Sequence, residues 1–254
     1  MFLPPKAESA RMKIVTVVQA RMGSTRLPGK VMKDLGGDTV LARVVHRVRR
    51  ARLSGEVIIA TTTNASDDLI VRECERLSVA CFRGEETDVL DRYYHAAKDA
   101  GAETIVRITS DCPLIEPEIT DNVIRAFLEQ RPDYASNALQ RTYPRGLDTE
   151  IMTFETLARA WREARRPYQR AHVTPYIYEN PDQFKILSKV GDVDYSCHRW
   201  TLDTPEDLDF IRNVYQRLGN DDRFHWRDAL TLLEHEPALV ALNRHVIMKP
   251  LQDG

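Results

Sequence analysis

The sequence predicts a single-domain α/β protein with a Rossmann-like fold, in which helices cover both faces of a mostly parallel mixed sheet. Two observations lead to this prediction. Short apolar β-rich runs alternate with segments whose apolar residues recur at helical spacing, and this β-α-β-α rhythm is typical of parallel sheets. The chain of 254 residues suffices for one large domain, and no repeat, low-complexity tract or linker divides it.

The elements of the first half follow from local signals. Asp38 or Thr39 can cap the first helix, an Asp pair opens the second, and Pro117 occupies the first turn of the fourth. The predicted strands are 14–18, 57–60, 79–82 and 104–108. The predicted helices are 40–48, 66–77, 87–100 and 117–129.

Beyond residue 133 the alternation of strand and helix signals is less regular. Thr204-Pro205-Glu206-Asp207 is a strong helix start, because a threonine cap is followed by proline and acidic residues. The predicted strands here are 134–137, 149–153 and 184–190. The predicted helices are 154–165, 168–179, 205–218 and 226–235. We expect residues 1–11 to be a disordered extension, residues 12–254 to be the domain, and 141–190 to form a lobe within it.

Composition excludes several classes of protein. Hydrophobic residues make up 43% and charged residues 29% of the chain, and the formal net charge is -2, so no global positive field attracts nucleic acid or an anionic membrane. The four cysteines lack C-x-x-C spacing, which favours reduced thiols in a cytoplasmic protein. No apolar run approaches the roughly 20 residues that span a bilayer. Any anion binding must therefore be local.

Residues 19–30, which we call the anion loop, are the most informative segment. The loop follows the first predicted strand and combines two glycines with a Ser-Thr pair and the cations Arg21, Arg26 and Lys30. Small residues let backbone N–H groups approach an anion, and the cations neutralise it. At the carboxyl end of a strand this composition predicts a polyphosphate site, hence a nucleotide. The alternative is a basic surface turn.

The anion loop is not a P-loop. Five residues separate Gly23 from Gly29, one more than that motif allows, and Val31 stands where the magnesium-binding hydroxyl belongs. Pro28 offers no N–H to a phosphate. The dinucleotide fingerprint G-x-G-x-x-G is absent as well.

The run Gln19-Ala20-Arg21-Met22-Gly23-Ser24-Thr25-Arg26-Leu27-Pro28-Gly29-Lys30 closely resembles the signature loop of the CMP-sugar synthetases, or cytidylyltransferases. The nearest branch is the spore-coat polysaccharide biosynthesis protein F family. Sugar-1-phosphate nucleotidyltransferases carry A-G-G in place of Gln19-Ala20-Arg21. The resemblance implies a nucleotidyltransferase (GT-A-like) version of the fold that uses CTP. It assigns nucleotide binding to Gln19, Ala20, Arg21, Gly23, Ser24, Thr25, Arg26 and Lys30.

Two aspartates extend the resemblance. Asp111 follows the strand 104–108 in Ser110-Asp111-Cys112-Pro113, and Asp203 opens Asp203-Thr204-Pro205-Glu206-Asp207. By themselves these are a turn residue and a helix cap. In cytidylyltransferases the matching aspartates hold magnesium, so the resemblance implies an Mg²⁺ cofactor on Asp111 and Asp203. With Arg21 and Lys30 they form the expected catalytic set.

Weaker matches point to the substrates. By analogy with the family, Arg83 reaches the base and Arg92 the acceptor, and further contacts to the sugar come from Arg145, Asp148, Glu150 and His172. The alternative for the charged residues is a surface salt bridge, and for His172 a structural role. We expect the lobe 141–190 to close the sugar site or to build a homodimer.

The expected activity is magnesium-dependent transfer of CMP from CTP to a hydroxyl of a small sugar acid, of the 2-keto-3-deoxy or nonulosonic type, with release of pyrophosphate. One alternative is a GT-A-type glycosyltransferase that uses a sugar nucleotide, supported by Asp192-Val193-Asp194, which otherwise is a charged turn. A second alternative is a nucleotide-binding subunit without activity. Octulosonate enzymes carry Gly-Asp-Glu-Pro where this chain has Ser110-Asp111-Cys112-Pro113, which leaves the acceptor sugar open.

Overall fold

A seven-stranded mixed sheet organises the protein in the computed structural model, which describes residues 12–247 and 250. The strand order is β3-β2-β1-β4-β6-β5-β7. The strands are β1 Ile14–Gln19, β2 Glu56–Thr62, β3 Ala80–Gly84, β4 Thr104–Thr109, β5 Tyr134–Ser136, β6 Glu150–Thr153 and β7 Ile186–Ser188. β1 to β4 are mutually parallel, β6 runs antiparallel to β4 and β5, and β7 is parallel to β5. This confirms the predicted fold class.

The described residues contain nine α-helices, of which seven lie between strands and two follow β7: α1 Val40–Arg50, α2 Asp68–Arg76, α3 Val89–Asp99, α4 Pro117–Gln130, α5 Phe154–Glu163, α6 Pro167–His172, α7 Pro175–Tyr178, α8 Pro205–Arg217 and α9 Trp226–His235. Adjacent residues of β1 show how they cover both faces. Val18 packs with the apolar sides of α1, α2 and α4, whereas Val17 packs with α3 and α5. A third apolar cluster around Trp200 unites α8 and α9. None of the described helices is long and apolar enough to cross a bilayer.

The helix predicted at 168–179 is wrong, because the chain breaks it into α6 and α7. Val173 lies between them with φ 73° and ψ −56°, and the N–H of Thr174 donates to the carbonyl of His172 at 2.9 Å. These values define a classic γ-turn, a strained conformation for a β-branched residue. Pro175 adds a second obstacle, since it has no N–H to continue a helix.

The segment 141–190 contributes two strands to the main sheet. It supplies β6, which lies between β4 and β5, and β7 at the sheet edge. The strand predicted at 184–190 is shorter than expected, since only Ile186–Ser188 pairs with β5. Closure of a sugar site or dimerisation by this segment stays a prediction, and the extension 1–11 lies outside the described residues.

Candidate active site

The anion loop leaves β1 at the carboxyl edge of the sheet, next to the end of β4. The register places Gln19 beside Thr109, and the N–H of Ser110 donates to the carbonyl of Gln19 at 3.1 Å. The loops that follow β1 and β4 therefore start from one point. This is the crevice in which ligands of open α/β sheets bind.

Internal bonds shape the anion loop. The N–H of Met22 donates to Asp67 Oδ1 at 2.8 Å, and the N–H of Gly29 donates to the Met22 carbonyl at 3.0 Å. Gly29 has φ +66°, which suits glycine. The backbone amides of Gly23, Thr25 and Arg26 have no hydrogen-bond partner among the described residues. They are donors available to an anion.

The loop's arginines differ in their surroundings. The Arg21 side chain is 47% exposed and lies 3.8 Å from Glu86, a loose surface pair. Arg26 is less exposed and its guanidinium lies 3.1 Å from Asp203 Oδ2. Thr25 is exposed and Ser24 half-buried in the same part of the loop. Arg21 can therefore reach an incoming anion without breaking a strong pair.

Lys30 joins the two aspartates that the sequence singled out. Its Nζ donates to Asp111 Oδ2 at 2.9 Å, to Asp203 Oδ1 at 3.0 Å and to the Leu202 carbonyl at 2.7 Å. The side chain is only 12% exposed. Burial by itself lowers the pKa of Lys30, but attraction to Asp111 and Asp203 outweighs it and the pKa is raised. The ammonium is therefore charged, and its three donors are all used.

Asp111 is held in the turn after β4. The N–H of Leu202 donates to the Asp111 carbonyl at 2.8 Å, which ties this turn to the segment that carries Asp203. Burial acts to raise the pKa of Asp111, but the nearby Lys30 charge and the Thr109 hydrogen bond lower it to about 2. The carboxylate is ionised at neutral pH, as a metal ligand must be.

Asp203 is positioned by the start of α8. Thr204 caps this helix and Asp207 closes a capping box, as predicted. Asp207 is fully buried, and Oδ2 accepts the N–H of Asp203 at 2.9 Å. Arg199 donates to Asp203 at 2.9 Å and to both oxygens of Asp207. Asp207 therefore orients Asp203 through the backbone of Asp203 and through their shared partner Arg199.

The oxygens around Lys30 Nζ have the chemistry of a magnesium site. Two carboxylates and a carbonyl from separate loops lie within 3.0 Å of one cation. No group of three or more His, Cys, Asp or Glu side chains suited to a metal occurs in the described part of the chain. Magnesium sites on phosphate substrates need only one or two carboxylates, because water and phosphate oxygens complete the shell. Asp111 and Asp203 fit that requirement.

Gln19 and Glu150 meet through Arg107. The guanidinium of Arg107 pairs with Glu150 and donates to Gln19 Oε1 at 3.1 Å. Glu150 is buried and also accepts the hydroxyls of Tyr134 and Thr174. All of these contacts join Glu150 to other side chains of the protein, so the geometry supports a positioning role for Glu150. Direct contact of Glu150 with the sugar stays a prediction. Ala20 is buried beside Gln19, with its N–H bonded to Ala60.

Arg92 is a buried cation that forms no ion pair with a carboxylate in the described part of the chain. The residue is 1% exposed, and Nε and Nη1 have no hydrogen-bond partner among the described residues. Burial lowers the pKa of Arg92, and nearby Arg21 lowers it further. Gly84 makes room for the side chain, since a Cβ there would lie 2.7 Å from Arg92 Cγ. Such an uncompensated charge is costly, which indicates a functional position.

The remaining predicted contacts are spread over three places. Arg83 donates to Asp68 at 2.6 Å and to the carbonyls of Thr62 and Asn64, so it braces the connection from β2 to α2. Asp148 is paired with Arg141. Arg145 lies half-buried beside Arg199 and has no ion-pair partner within residues 12–247. His172 ends α6 at the strained γ-turn.

Sequence reasoning missed Asp67, Arg107 and Arg199 as parts of the site. The sequence indicates a helix cap at Asp67, but its side chain makes no cap hydrogen bond and instead accepts the Met22 amide and three donors from Thr61 and Thr62. Arg199 stands four residues before Asp203, and this short spacing is the one signal that pointed to a pair. Arg107 offered no signal, because its partners come from other strands.

Asp192-Val193-Asp194 lies in an exposed turn after β7, where Asp194 accepts the N–H of Ser196 at 2.8 Å. The interpretation as a charged turn fits this placement. The motif is therefore no part of the cluster around Lys30.

The mixed sheet, the anion loop after β1 and the aspartates from two distant loops define a nucleotidyltransferase. The cytidylyltransferase family model matches residues 15–222. The spore coat polysaccharide biosynthesis protein SpsF of Bacillus subtilis is 33% identical over 233 residues, which cover 88% of this chain and 95% of that protein. An uncharacterised protein of Methanocaldococcus jannaschii is 37% identical over 246 residues, covering 95% of this chain and 99% of its own length.

A solved cytidylyltransferase from Leptospira borgpetersenii superposes with a TM-score of 0.88 at 33% identity, over 94% of this chain and 100% of that one. The chain belongs to the cytidylyltransferase family, and it is an enzyme of the nucleotidyltransferase class.

Proposed function

We propose that this cytidylyltransferase transfers CMP from CTP to a hydroxyl of a sugar acid, with magnesium as cofactor. The observation that carries the proposal is the convergence of Asp111 and Asp203 on one point beside the anion loop. The hydroxyl oxygen of the acceptor forms a bond to the α-phosphorus, and the bond from that phosphorus to the β-bridging oxygen breaks. Pyrophosphate leaves, and the hydroxyl proton passes to solvent.

The chain's own groups supply positioning and charge. The free amides of Gly23, Thr25 and Arg26 donate to the triphosphate, and the exposed Arg21 neutralises part of its charge. Phosphoryl transfer depends mainly on such positioning and electrostatic stabilisation. Magnesium on Asp111 and Asp203 would supply further charge neutralisation and lower the pKa of the attacking hydroxyl. Asp207 and Arg199 keep the Asp203 carboxylate in place.

Two cations support an acidic acceptor. Arg92 is buried beside the loop's Arg21 with unsatisfied donors, and Arg145 has no carboxylate partner in the described structure. A carboxylate on the substrate would satisfy either guanidinium with charge-assisted hydrogen bonds. The similarity to SpsF, named for spore coat polysaccharide biosynthesis, supports a product that is consumed in polysaccharide synthesis.

The test is a substrate matrix. The enzyme is incubated with each of the four ribonucleoside triphosphates, Mg²⁺ and a panel of 2-keto-3-deoxy and nonulosonic acids, and pyrophosphate is assayed. We expect release only with CTP and an acid. A matched neutral sugar alcohol serves as the control acceptor. Release with neutral sugars alone would overturn the acidic acceptor. A nucleoside diphosphate formed from a sugar nucleotide would favour the glycosyltransferase instead.

A further inference from the structure

Lys30 occupies the position in which Asp111 and Asp203 would coordinate a metal. Its Nζ lies 2.9 Å from one carboxylate and 3.0 Å from the other, and it donates its third hydrogen bond to the Leu202 carbonyl. Magnesium binds oxygen ligands at about 2.1 Å. A metal that reaches the same oxygens would therefore be in contact with the ammonium, and two cations repel at that distance.

The same contacts prevent Lys30 from serving the nucleotide. The family resemblance places this lysine on the triphosphate, but all three of its donors are spent on Asp111, Asp203 and Leu202. A lysine has no other donor to offer a phosphate. Lys30 can bind the triphosphate only after it leaves the carboxylates.

The charges around Asp203 agree with an exchange of the Lys30 ammonium for a metal ion. Lys30, Arg26 and Arg199 face Asp111, Asp203 and Asp207, so three cations balance three carboxylates. A divalent cation added alone would leave this buried cluster with excess positive charge. A triphosphate that arrives with the metal removes that excess. The cluster is therefore neutral with Lys30 in place, and a bound metal nucleotide, whose net charge is negative, offers the displaced Lys30 ammonium a new partner.

We propose that Lys30 is an internal substitute for the metal, which closes the carboxylate pair until metal and nucleotide arrive together and then moves onto the triphosphate. This inference rests on the proposed metal-dependent function. It makes metal binding and nucleotide binding mutually dependent through one side chain, a coupling that linkage requires to be reciprocal.

The test measures metal binding without turnover. Mn²⁺ is titrated into nucleotide-free protein and free Mn²⁺ is counted by electron paramagnetic resonance, for the wild type, Lys30→Met and the control Lys33→Met. Lys33 lies one turn further along and makes no ion pair among the described residues. We expect Lys30→Met to bind Mn²⁺ about tenfold tighter or more than the other two proteins. Lys30→Gln, which keeps a donor for the carboxylates but removes the positive charge, is titrated as a second variant and should also bind Mn²⁺ more tightly than the wild type.

A crystal of the wild type grown with Mn²⁺ and CTP provides a readout that needs no variant. We expect the anomalous signal between Asp111 and Asp203, with Lys30 Nζ released from both carboxylates and bonded to the triphosphate. Equal Mn²⁺ affinity in all four proteins, or a metal on the aspartates with Lys30 still bridging them, would overturn the exchange and leave the proposed function intact. Absence of Mn²⁺ from the aspartates even with CTP would overturn both.

Discussion

Arg107 and Gln19 are joined across neighbouring strands, with Arg107 Nη2 donating to Gln19 Oε1 at 3.1 Å. The same guanidinium pairs with Glu150, which Tyr134 and Thr174 hold in the interior. The first side chain of the anion loop is thus anchored to a buried ion pair. This relationship links the stability of the sheet to the geometry of the nucleotide site.

Arg107→Met should destabilise the protein strongly. It leaves the buried Glu150 carboxylate without its cation, and breaking a buried pair by removal of one partner costs about 3 kcal/mol or more. Urea denaturation monitored by circular dichroism measures the free energy of unfolding. A loss below about 1 kcal/mol would show that the hydroxyls of Tyr134 and Thr174 alone satisfy Glu150.

Arg92→Met should leave stability intact but weaken binding of the acceptor. This guanidinium is more deeply buried than that of Arg107 but has unsatisfied donors among the described residues, so its removal should leave the free energy of unfolding unchanged or raise it. If Arg92 binds an acidic acceptor, KM for that acceptor should rise roughly tenfold or more through loss of a charged hydrogen bond. Steady-state kinetics with CTP saturating measures this. An unchanged KM would remove Arg92 from the acceptor site.

Lys30→Ala should lower turnover by roughly 10²-fold or more, since it removes a cation that stabilises the transferring phosphate. Pyrophosphate release at saturating CTP, Mg²⁺ and acceptor measures the effect. Lys33→Ala is the matched control and should retain wild-type turnover. A Lys30→Ala enzyme with unimpaired turnover would exclude this lysine from the chemistry, whatever its effect on metal binding.

Asp111 should contribute to stability above acidic pH. Its pKa is lowered from 3.8 to about 2 in the folded protein, because the Lys30 charge and the Thr109 hydrogen bond stabilise the carboxylate. A lowered folded pKa means that the stabilisation is present above the unfolded pKa of about 3.9 and is lost as pH falls through the folded pKa. The contribution is on the order of 2 kcal/mol.

The check is urea unfolding of the wild type and Asp111→Asn at a series of pH values. We expect the wild type to be the more stable protein at pH 6, and the difference to shrink below about pH 4. A difference that does not change with pH would mean that the asparagine disturbs packing rather than charge.

Gly146→Ala should damage the fold next to Asp203. Gly146 has φ +107°, and an added Cβ would lie 2.6 Å from the carbonyl carbon of Trp200, which is backbone and cannot give way. We expect a loss of about 2 kcal/mol or more by thermal or urea unfolding. Gly37→Ala is the control, since φ is +90° but no atom lies within 4 Å of the added Cβ. Similar losses of stability in both variants would show that backbone strain alone, and not the contact with Trp200, destabilises Gly146→Ala.

Local chemistry made much of the fold predictable. Thr39 caps α1, and Thr204 and Asp207 close the capping box of α8, because these signals act within four residues of chain. The prediction of a helix at 168–179 failed partly for a local reason, since Pro175 interrupts it. The γ-turn at Val173, whose side chain is fully buried, has no such local signal.

The sequence by itself determined the α/β architecture, the anion loop and the aspartates that belong with it, because strand periodicity, glycine placement and short motifs are local properties of the chain. Only the tertiary structure decided how their charges are paired. Lys30 meets Asp111 and Asp203 because the Leu202 amide ties two distant loops together. Within the described residues Nε and Nη1 of Arg92 have no hydrogen-bond partner, whereas Arg107 pairs with Glu150. Electrostatic partners that are far apart in the sequence are set by their distance in space, which their spacing along the chain does not encode.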